Sequence, residues 1–230
     1  MTLYKLYLQS GPKFMKTEVR VLELLGCTTN GPTTEEALAM TPEAIRDYLR
    51  FLERHGEAVD VNQTIETEVA LHNTEGLMNP ALIFEPDREP VSKADVEIYI
   101  ERLIWMRSDT LDLIEGLSER QLTEKPEPGR SIRRILEHIY GAEYNYVRRF
   151  GKIDGVAGPG NVEDLALPEL LDLMDYVQEK EIVHLRSLSD AKRSEPIIHK
   201  SYNNTPRQYF RFMVEHHWEH MNEIRDRLGA

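Results

Sequence analysis

Residues 214–224 read VEHHWEHMNEI, a polar stretch in which three histidines stand close together. His216 and His220 are four residues apart, so a helix places both side chains on one face. Two neutral imidazoles at this spacing can hold one zinc, nickel or iron(II) ion. His217 and His220 are three residues apart and can also chelate, so periodicity leaves His216 and His217 open as alternatives. A catalytic site usually has three protein ligands, and the third must then come from another helix.

The best candidate for that third ligand is His138, in the stretch SERQLTEKPEPGRSIRRILEHIYGAEYNYV at residues 118–147. Successive residues are about 100° apart around a helix axis. His138 therefore lies about 240° around its helix from the apolar Ile132, and His216 lies about 240° from the apolar Phe210. Both helices therefore carry a histidine at the flank of their apolar face. Glu143 lies near the centre of that face, where a carboxylate is costly to bury without a partner. We interpret Glu143 as a fourth ligand, a partner that orients an imidazole, or a general base, and we retain it as the candidate catalytic residue.

The second half of the chain has the spacing of long amphipathic helices. Serine or threonine side chains are available to cap three of these helices, and prolines and glycines separate them. The predicted helices span residues 92–117, 131–150, 167–188 and 205–228. Four helices of this length with modest loops predict an all-α up-down four-helix bundle over residues 92–230.

The two histidine-bearing stretches resemble the DinB-like metal-binding four-helix bundle, also called the DinB/YfiT-like group. That family has a helix-two histidine in Ser-Ile-x-x-x-Leu-x-His, which His138 matches, and a last-helix His-x-x-x-His, which His216 and His220 match. The sequence departs from the pattern at Arg130, where the family commonly has tryptophan, and at Glu223, where it commonly has glutamine.

This resemblance implies one divalent metal ion held by His138, His216 and His220. It also implies a frequent homodimer and a range of activities, among them hydrolysis and thiol transfer, in which a low-molecular-weight thiol serves as co-substrate. The predicted function is therefore a metal-dependent hydrolase or thiol S-transferase that acts on a small molecule through an activated water or thiol.

The first part of the chain has the pattern of a mixed α/β domain. Apolar and β-branched residues predict strands at 3–8, 18–24 and 64–71, with a further short strand within 27–32 and a capped helix over 33–54. The stretch LLGCTTNGPTTEEALAMTPEAIRDYLRFLERHGE is similar to the HicB-like antitoxin pattern. The matching positions are Gly26, Cys27, Gly31, Thr33, Glu36 and Ala37. This resemblance implies a small β-β-β-α-β domain over residues 1–71.

Residues 72–91 are predicted to link the two domains, because they are rich in proline, asparagine and glycine. The fold class expected for the whole chain is thus a two-domain α+β protein. Its HicB-like domain is followed by a DinB-like bundle.

Composition narrows the classes of function. The chain has 230 residues, a net charge of -12 and a single cysteine, Cys27. The net negative charge argues against general binding to nucleic acids. No apolar stretch is long enough to span a membrane. One cysteine excludes a disulfide framework within the chain and favours a reducing cytoplasm, and no secretory leader is visible. The alternative to an enzyme is a non-enzymatic binding or regulatory protein with a structural or vestigial metal. In that alternative the first domain binds a protein partner or forms a dimer.

Overall fold

The computed structural model describes residues 1–11, 14–75, 82–158, 160–199 and 202–229. The chain divides into two compact units, Met1–Pro86 and Asp87–Ala230. The division falls within residues 72–91, the stretch predicted as a linker. Parts of that stretch have regular structure, since His72 and Asn73 end a strand and Glu85–Arg88 form a 3-10 helix. Its central part, residues 76–81, lies outside the described residues.

The first unit consists of a four-stranded sheet and one helix. In chain order its elements are β1 (Thr2–Gly11), β2 (Phe14–Val21), β3 (Thr28–Gly31), α1 (Thr34–Arg54) and β4 (Ile65–Asn73). The sheet order is β3-β2-β1-β4. Strand β1 pairs antiparallel with β2 and parallel with β4, and β3 pairs antiparallel with β2. A parallel neighbour requires a crossover connection, and α1 lies in the stretch between β3 and β4. Strand β4 is left at one edge of the sheet.

The helix of this unit begins where its sequence provides a cap. The backbone N–H of Glu36 donates to the Thr33 hydroxyl at 3.2 Å, and the Thr33 N–H donates to the Glu36 carboxylate at 3.1 Å. This reciprocal pair is a capping box. Gly31 precedes it because a Cβ there would lie 2.6 Å from the backbone nitrogen of Ala37. The core lies between α1 and the sheet and includes Leu6, Leu8, Val19, Ile45, Tyr48, Leu49 and Leu52.

The second unit is mainly helical. Its α-helices are α2 (Lys93–Ile114), α3 (Glu119–Thr123), α4 (Ile132–Val147), α5 (Leu167–Arg186), α6 (Asp190–Ser194) and α7 (Pro206–Leu228). A 3-10 turn, Arg148–Phe150, follows α4. Two short strands, β5 (Ile197–His199) and β6 (Tyr202–Asn204), pair antiparallel before α7.

Three of the four long helices begin at the capping residues that their sequences provide. Ser92, Ser131 and Thr205 each cap a helix through the side-chain oxygen, and Pro206 occupies the first turn of α7. Helix α7 packs on α2 and α4, and α5 packs on α4 and α2. The core of the unit contains Ile100, Leu103, Met106, Ile135, Leu136, Ile139, Leu170, Met174, Val177, Phe210, Met213, Val214, Trp218 and Met221.

Two features of this unit correct the sequence-based prediction. The domain is not all-α, because β5 and β6 form a two-stranded ribbon within residues that were predicted as a connection. The short helices α3 and α6 also occupy predicted connections, since Ser118 and Ser189 cap them. The up-down order of a four-helix bundle stays a prediction. None of the helices in the described ranges is both long and apolar enough to cross a membrane.

A buried ion-pair network connects the start of this unit to α7. The guanidinium of Arg211 donates to both carboxylate oxygens of Asp87, each at 2.8 Å, and to the carboxylate of Glu215 at 2.9 and 3.1 Å. All three side chains are buried, with less than a tenth of each exposed. Planar two-point pairing of this kind fixes geometry as well as charge. The network therefore holds Asp87, at the start of this unit, against the body of α7.

Candidate metal centre

Three histidines from two helices converge at one place in the helical unit. His138 lies on α4, and His216 and His220 lie one turn apart on α7. One ligand nitrogen from each can be chosen so that all three lie within 4.8 Å of one another. The Nε2 atoms of His138 and His216 are 3.0 Å apart. We refer to these three residues as the histidine cluster. Among the residues that the structure describes, it is the one group of three or more histidine, cysteine or carboxylate side chains placed to hold an ion.

The structure brings His216, and not His217, into this cluster. His217 is buried, and its Nε2 lies 3.3 Å from the hydroxyl oxygen of Thr110 on α2. Consecutive helical residues point about 100° apart, so only one of the two can face α4. His216 faces α4, whereas His217 points into the core between α7 and α2. The pattern of apolar residues alone left this choice open.

The electrostatic environment favours neutral imidazoles. Burial lowers the pKa of His216 to about 2, and partial desolvation of the more exposed His138 lowers the pKa of that ring to about 4. The neighbouring His220 adds to both shifts. Both rings therefore carry a free lone pair at neutral pH. A neutral imidazole nitrogen is a good ligand for zinc, nickel or iron(II). Together with the imidazole of His220, these two rings form a donor set that fits a divalent ion of this group.

The comparison with protein families bears directly on this arrangement. The family model of the DinB superfamily matches residues 102–224, more than half of the chain, and the matched segment contains all three histidines. The chain belongs to the DinB superfamily. No curated protein and no solved structure matches it. The DinB superfamily match begins within α2, so it lends no support to the HicB-like resemblance of residues 1–71, which stays a hypothesis.

Within this DinB superfamily member, Glu223 is the hydrogen-bond partner of one cluster histidine. Its Oε2 atom lies 2.8 Å from Nδ1 of His220, and this bond lowers the pKa of the Glu223 carboxyl. Arg130 and Arg227 donate to the same carboxylate at 3.1 and 3.2 Å. With Nδ1 engaged by a carboxylate, Nε2 of His220 is the nitrogen left for an ion. Sequence reasoning noted Glu223 only as a departure from the DinB-like pattern. Its three-residue spacing from His220 was the signal for this contact.

Replacing Glu223 by alanine is expected to weaken zinc binding by about 10- to 100-fold, the usual cost of losing a partner that orients a metal ligand. The measurement is a zinc titration against a competing chelator. Asp226→Ala is the matched control, because Asp226 is an exposed carboxylate on the same helix. Equal affinities in the two variants would contradict an orienting role for Glu223.

Glu143, the candidate catalytic residue, does not join the histidine cluster. Its carboxylate accepts a hydrogen bond from Nη2 of Arg107 at 3.0 Å and a longer one from the Gln178 amide at 3.5 Å. Its position near the centre of the apolar face of α4 predicts a buried carboxylate in need of a partner. The structure provides one in Arg107 on α2, which sequence reasoning did not identify. A catalytic role for Glu143 therefore stays a prediction without a contact to the cluster.

The surroundings of the cluster differ from one ligand to another. His138 is exposed to solvent, whereas His220 is buried. The ring of Tyr146 lies 5.9 Å from the ring of His216 and also contacts Phe212. The cluster is thus open to solvent at His138, with aromatic side chains beside His216.

Proposed function

We propose that the helical unit binds one divalent ion, which is zinc, nickel or iron(II), through His138, His216 and His220, and uses it in a reaction on a small molecule. The observation that carries this proposal is the convergence of three imidazole nitrogens within 4.8 Å in a DinB superfamily member. Members of this superfamily commonly bind metal. An ion held by three protein ligands would keep a coordination position for water or substrate, as catalytic metal sites usually do.

The reaction we propose is hydrolysis or thiol transfer, with a low-molecular-weight thiol as co-substrate in the second case. When bound, an ion of this group lowers the pKa of a coordinated water or thiol and polarises an electrophile. The chain's own residues orient the ligands. Glu223 keeps the His220 ring in one tautomer, and Arg130 and Arg227 hold Glu223 in place. Exposure of His138 supports access for a small substrate.

A second candidate function is a non-enzymatic binding protein whose metal is structural. The observation that favours it lies in the first unit, where β4 is an edge strand with Val69 48% and Leu71 39% exposed. An edge strand with unpaired backbone groups and apolar side chains is suited to pairing with another chain. In this alternative the first unit binds a protein partner or a second copy of the chain.

A paired activity assay separates the two candidates. The metal-loaded protein is screened for ester and amide hydrolysis and for thiol transfer to small electrophiles, beside His216→Ala treated in the same way. We expect an activity that His216→Ala loses while its circular dichroism spectrum stays that of the folded protein. An activity that survives chelation, or one that is equal in the variant, would contradict the enzyme proposal. A loaded but inactive protein that runs as a dimer would favour the second candidate.

A further inference from the structure

A second group of polar side chains lies in the interior of the helical unit, outside the histidine cluster. Each of the four long helices contributes at least one member, and all of them are buried. We call this group the polar core cluster, and its members are Arg107, Tyr140, Glu143, Glu181 and His217. Buried charged side chains are rare unless they are paired and hydrogen-bonded. The charges and the hydrogen bonds of this cluster therefore indicate what it binds.

The charges of this cluster do not balance. Arg107 is the one guanidinium among its members, and Glu143 already accepts the hydrogen bond from its Nη2 atom at 3.0 Å. Glu181 brings a second carboxyl group from α5. Outside the cluster, the exposed Asp175 lies 4.0 Å from Nη1 of Arg107 and adds a further negative charge. One cation cannot neutralise both buried carboxyl groups, and an unpaired buried carboxylate is strongly unfavourable.

The groups that act on Glu181 indicate which carboxyl group stays neutral. Burial and the charge of Glu143 on α4 raise the pKa of Glu181 to about 9, while Arg107 on α2 opposes them. Tyr140 on α4 also interacts with Glu181, and burial raises the pKa of that phenol as well. The charge of Arg107 also acts on His217 of α7. Glu143 is paired with Arg107 at 3.0 Å, whereas Oε1 of Glu181 has no hydrogen-bond partner among the described residues, so Glu181 is the carboxyl group that favours its neutral form.

Several atoms of the cluster have no hydrogen-bond partner among the described residues. They are both donors and acceptors, which is the combination that water satisfies and that a simple anion or cation does not. The atoms are Nε and Nη1 of Arg107, Oη of Tyr140, Oε1 of Glu181 and Nδ1 of His217. A buried polar group without a partner costs more free energy than a hydrogen bond contributes to stability. We therefore expect these atoms to form hydrogen bonds with a bound ligand.

We propose that the polar core cluster is a second binding site of this protein, which holds internal water and one proton, with Glu181 as the neutral carboxylic acid that carries the proton. Glu143 remains the carboxylate that pairs with Arg107. The site makes the helical unit sensitive to pH. The inference needs neither a metal ion nor a substrate, so it stands independently of the proposed function.

The sign of the pH effect follows from proton linkage. In the unfolded chain Glu181 has its ordinary pKa of 4.5, whereas in the folded chain its pKa is raised. Below the unfolded value both states are protonated and the carboxyl group has no effect on stability. Above it, folding must take up a proton, so the protein loses stability as pH rises towards the folded value. A glutamine at this position has no proton to take up.

Glu181→Gln tests this inference against Glu179→Gln, which changes an exposed carboxylate on the same helix. Urea midpoints are measured from about pH 5 to about pH 9. We expect Glu181→Gln to differ little from the wild type near pH 5 and to become progressively more stable than it as pH rises. Glu179→Gln should follow the wild type throughout. A pH-independent difference between Glu181→Gln and the wild type would overturn the inference.

Infrared spectroscopy detects the proton directly. The carbonyl stretch of a protonated carboxyl group should be present in the wild type at pH 7, retained in Glu179→Gln and absent in Glu181→Gln. A wild-type spectrum without this band would overturn the assignment even if the glutamine variant failed to fold. A crystal structure tests the water. We expect ordered water within hydrogen-bond distance of Arg107 Nε and Tyr140 Oη, and direct pairing of those atoms with other side chains would contradict it.

Discussion

Replacing His138 by alanine is expected to reduce the metal content of the zinc-loaded protein from one ion per chain to none. His138 is the only member of the histidine cluster on α4, so its loss leaves two nitrogens on one face of α7. Two imidazoles seldom suffice to hold a zinc ion against water, since structural and catalytic sites use three or four protein ligands. His220→Ala should have the same effect. The measurement is elemental analysis of tag-free protein after loading and gel filtration.

His217→Ala provides the sharpest control for this prediction. His217 has the same side chain and lies beside His216, but it contacts Thr110 rather than the cluster. We expect this variant to keep its ion, although the loss of a buried side chain lowers its stability. Retention of metal by His138→Ala together with its loss from His217→Ala would show that the ligand set is wrong. Absence of metal from the loaded wild type would contradict the metal proposal as a whole.

Replacing Asp87 by alanine is expected to lower the free energy of unfolding by about 3–5 kcal/mol, the usual effect of removing one partner from a buried ion pair. Asp87 is 2% exposed at its side chain and accepts two hydrogen bonds from Arg211. Without it, Arg211 keeps its buried positive charge with Glu215 as the remaining carboxylate contact. The measurement is urea unfolding followed by circular dichroism.

Asp190→Ala is the matched control for that prediction. Asp190 also pairs with an arginine, Arg193, but its side chain is 92% exposed. Arg193 itself is buried, but it keeps hydrogen bonds to the carbonyl oxygens of Leu188 and Val91 when Asp190 is removed. Because the Asp190 carboxylate is solvated, we expect its loss to cost about 1 kcal/mol or less, so this variant should remain close to the wild type. Similar losses in the two variants would show that burial of the Asp87 pair does not determine its effect on stability.

Local sequence signals predicted the parts of the fold that depend on neighbouring residues. Capping residues marked the starts of the long helices, since Ser92, Ser131 and Thr205 bond to backbone N–H groups three residues later. The spacing of His216 and His220 placed both on one face of a helix. The mixed and helical parts of the chain were separable for the same reason, because periodicity is a local property.

Contacts between distant elements were beyond what one sequence indicates. Glu143 was recognised as a buried carboxylate, but its partner Arg107 is 36 residues away on another helix. Glu181, Asp87 and Arg211 carried no signal at all, because charged residues in a helix are usually exposed and only tertiary packing buries these. The ribbon of β5 and β6 was missed because strands of three residues are too short to show alternation.

The long sequence separation within the histidine cluster determines when in folding an ion can be taken up. His138 and His216 are 78 residues apart, so they meet only after a long stretch of chain has been closed into a loop. Helix α7 on its own, even when fully helical, offers two of the three nitrogens. Uptake of the ion would therefore report the docking of α7 on α4. A coloured ion such as nickel(II) would make that late step of refolding visible, while the formation of isolated helices would leave the absorbance unchanged.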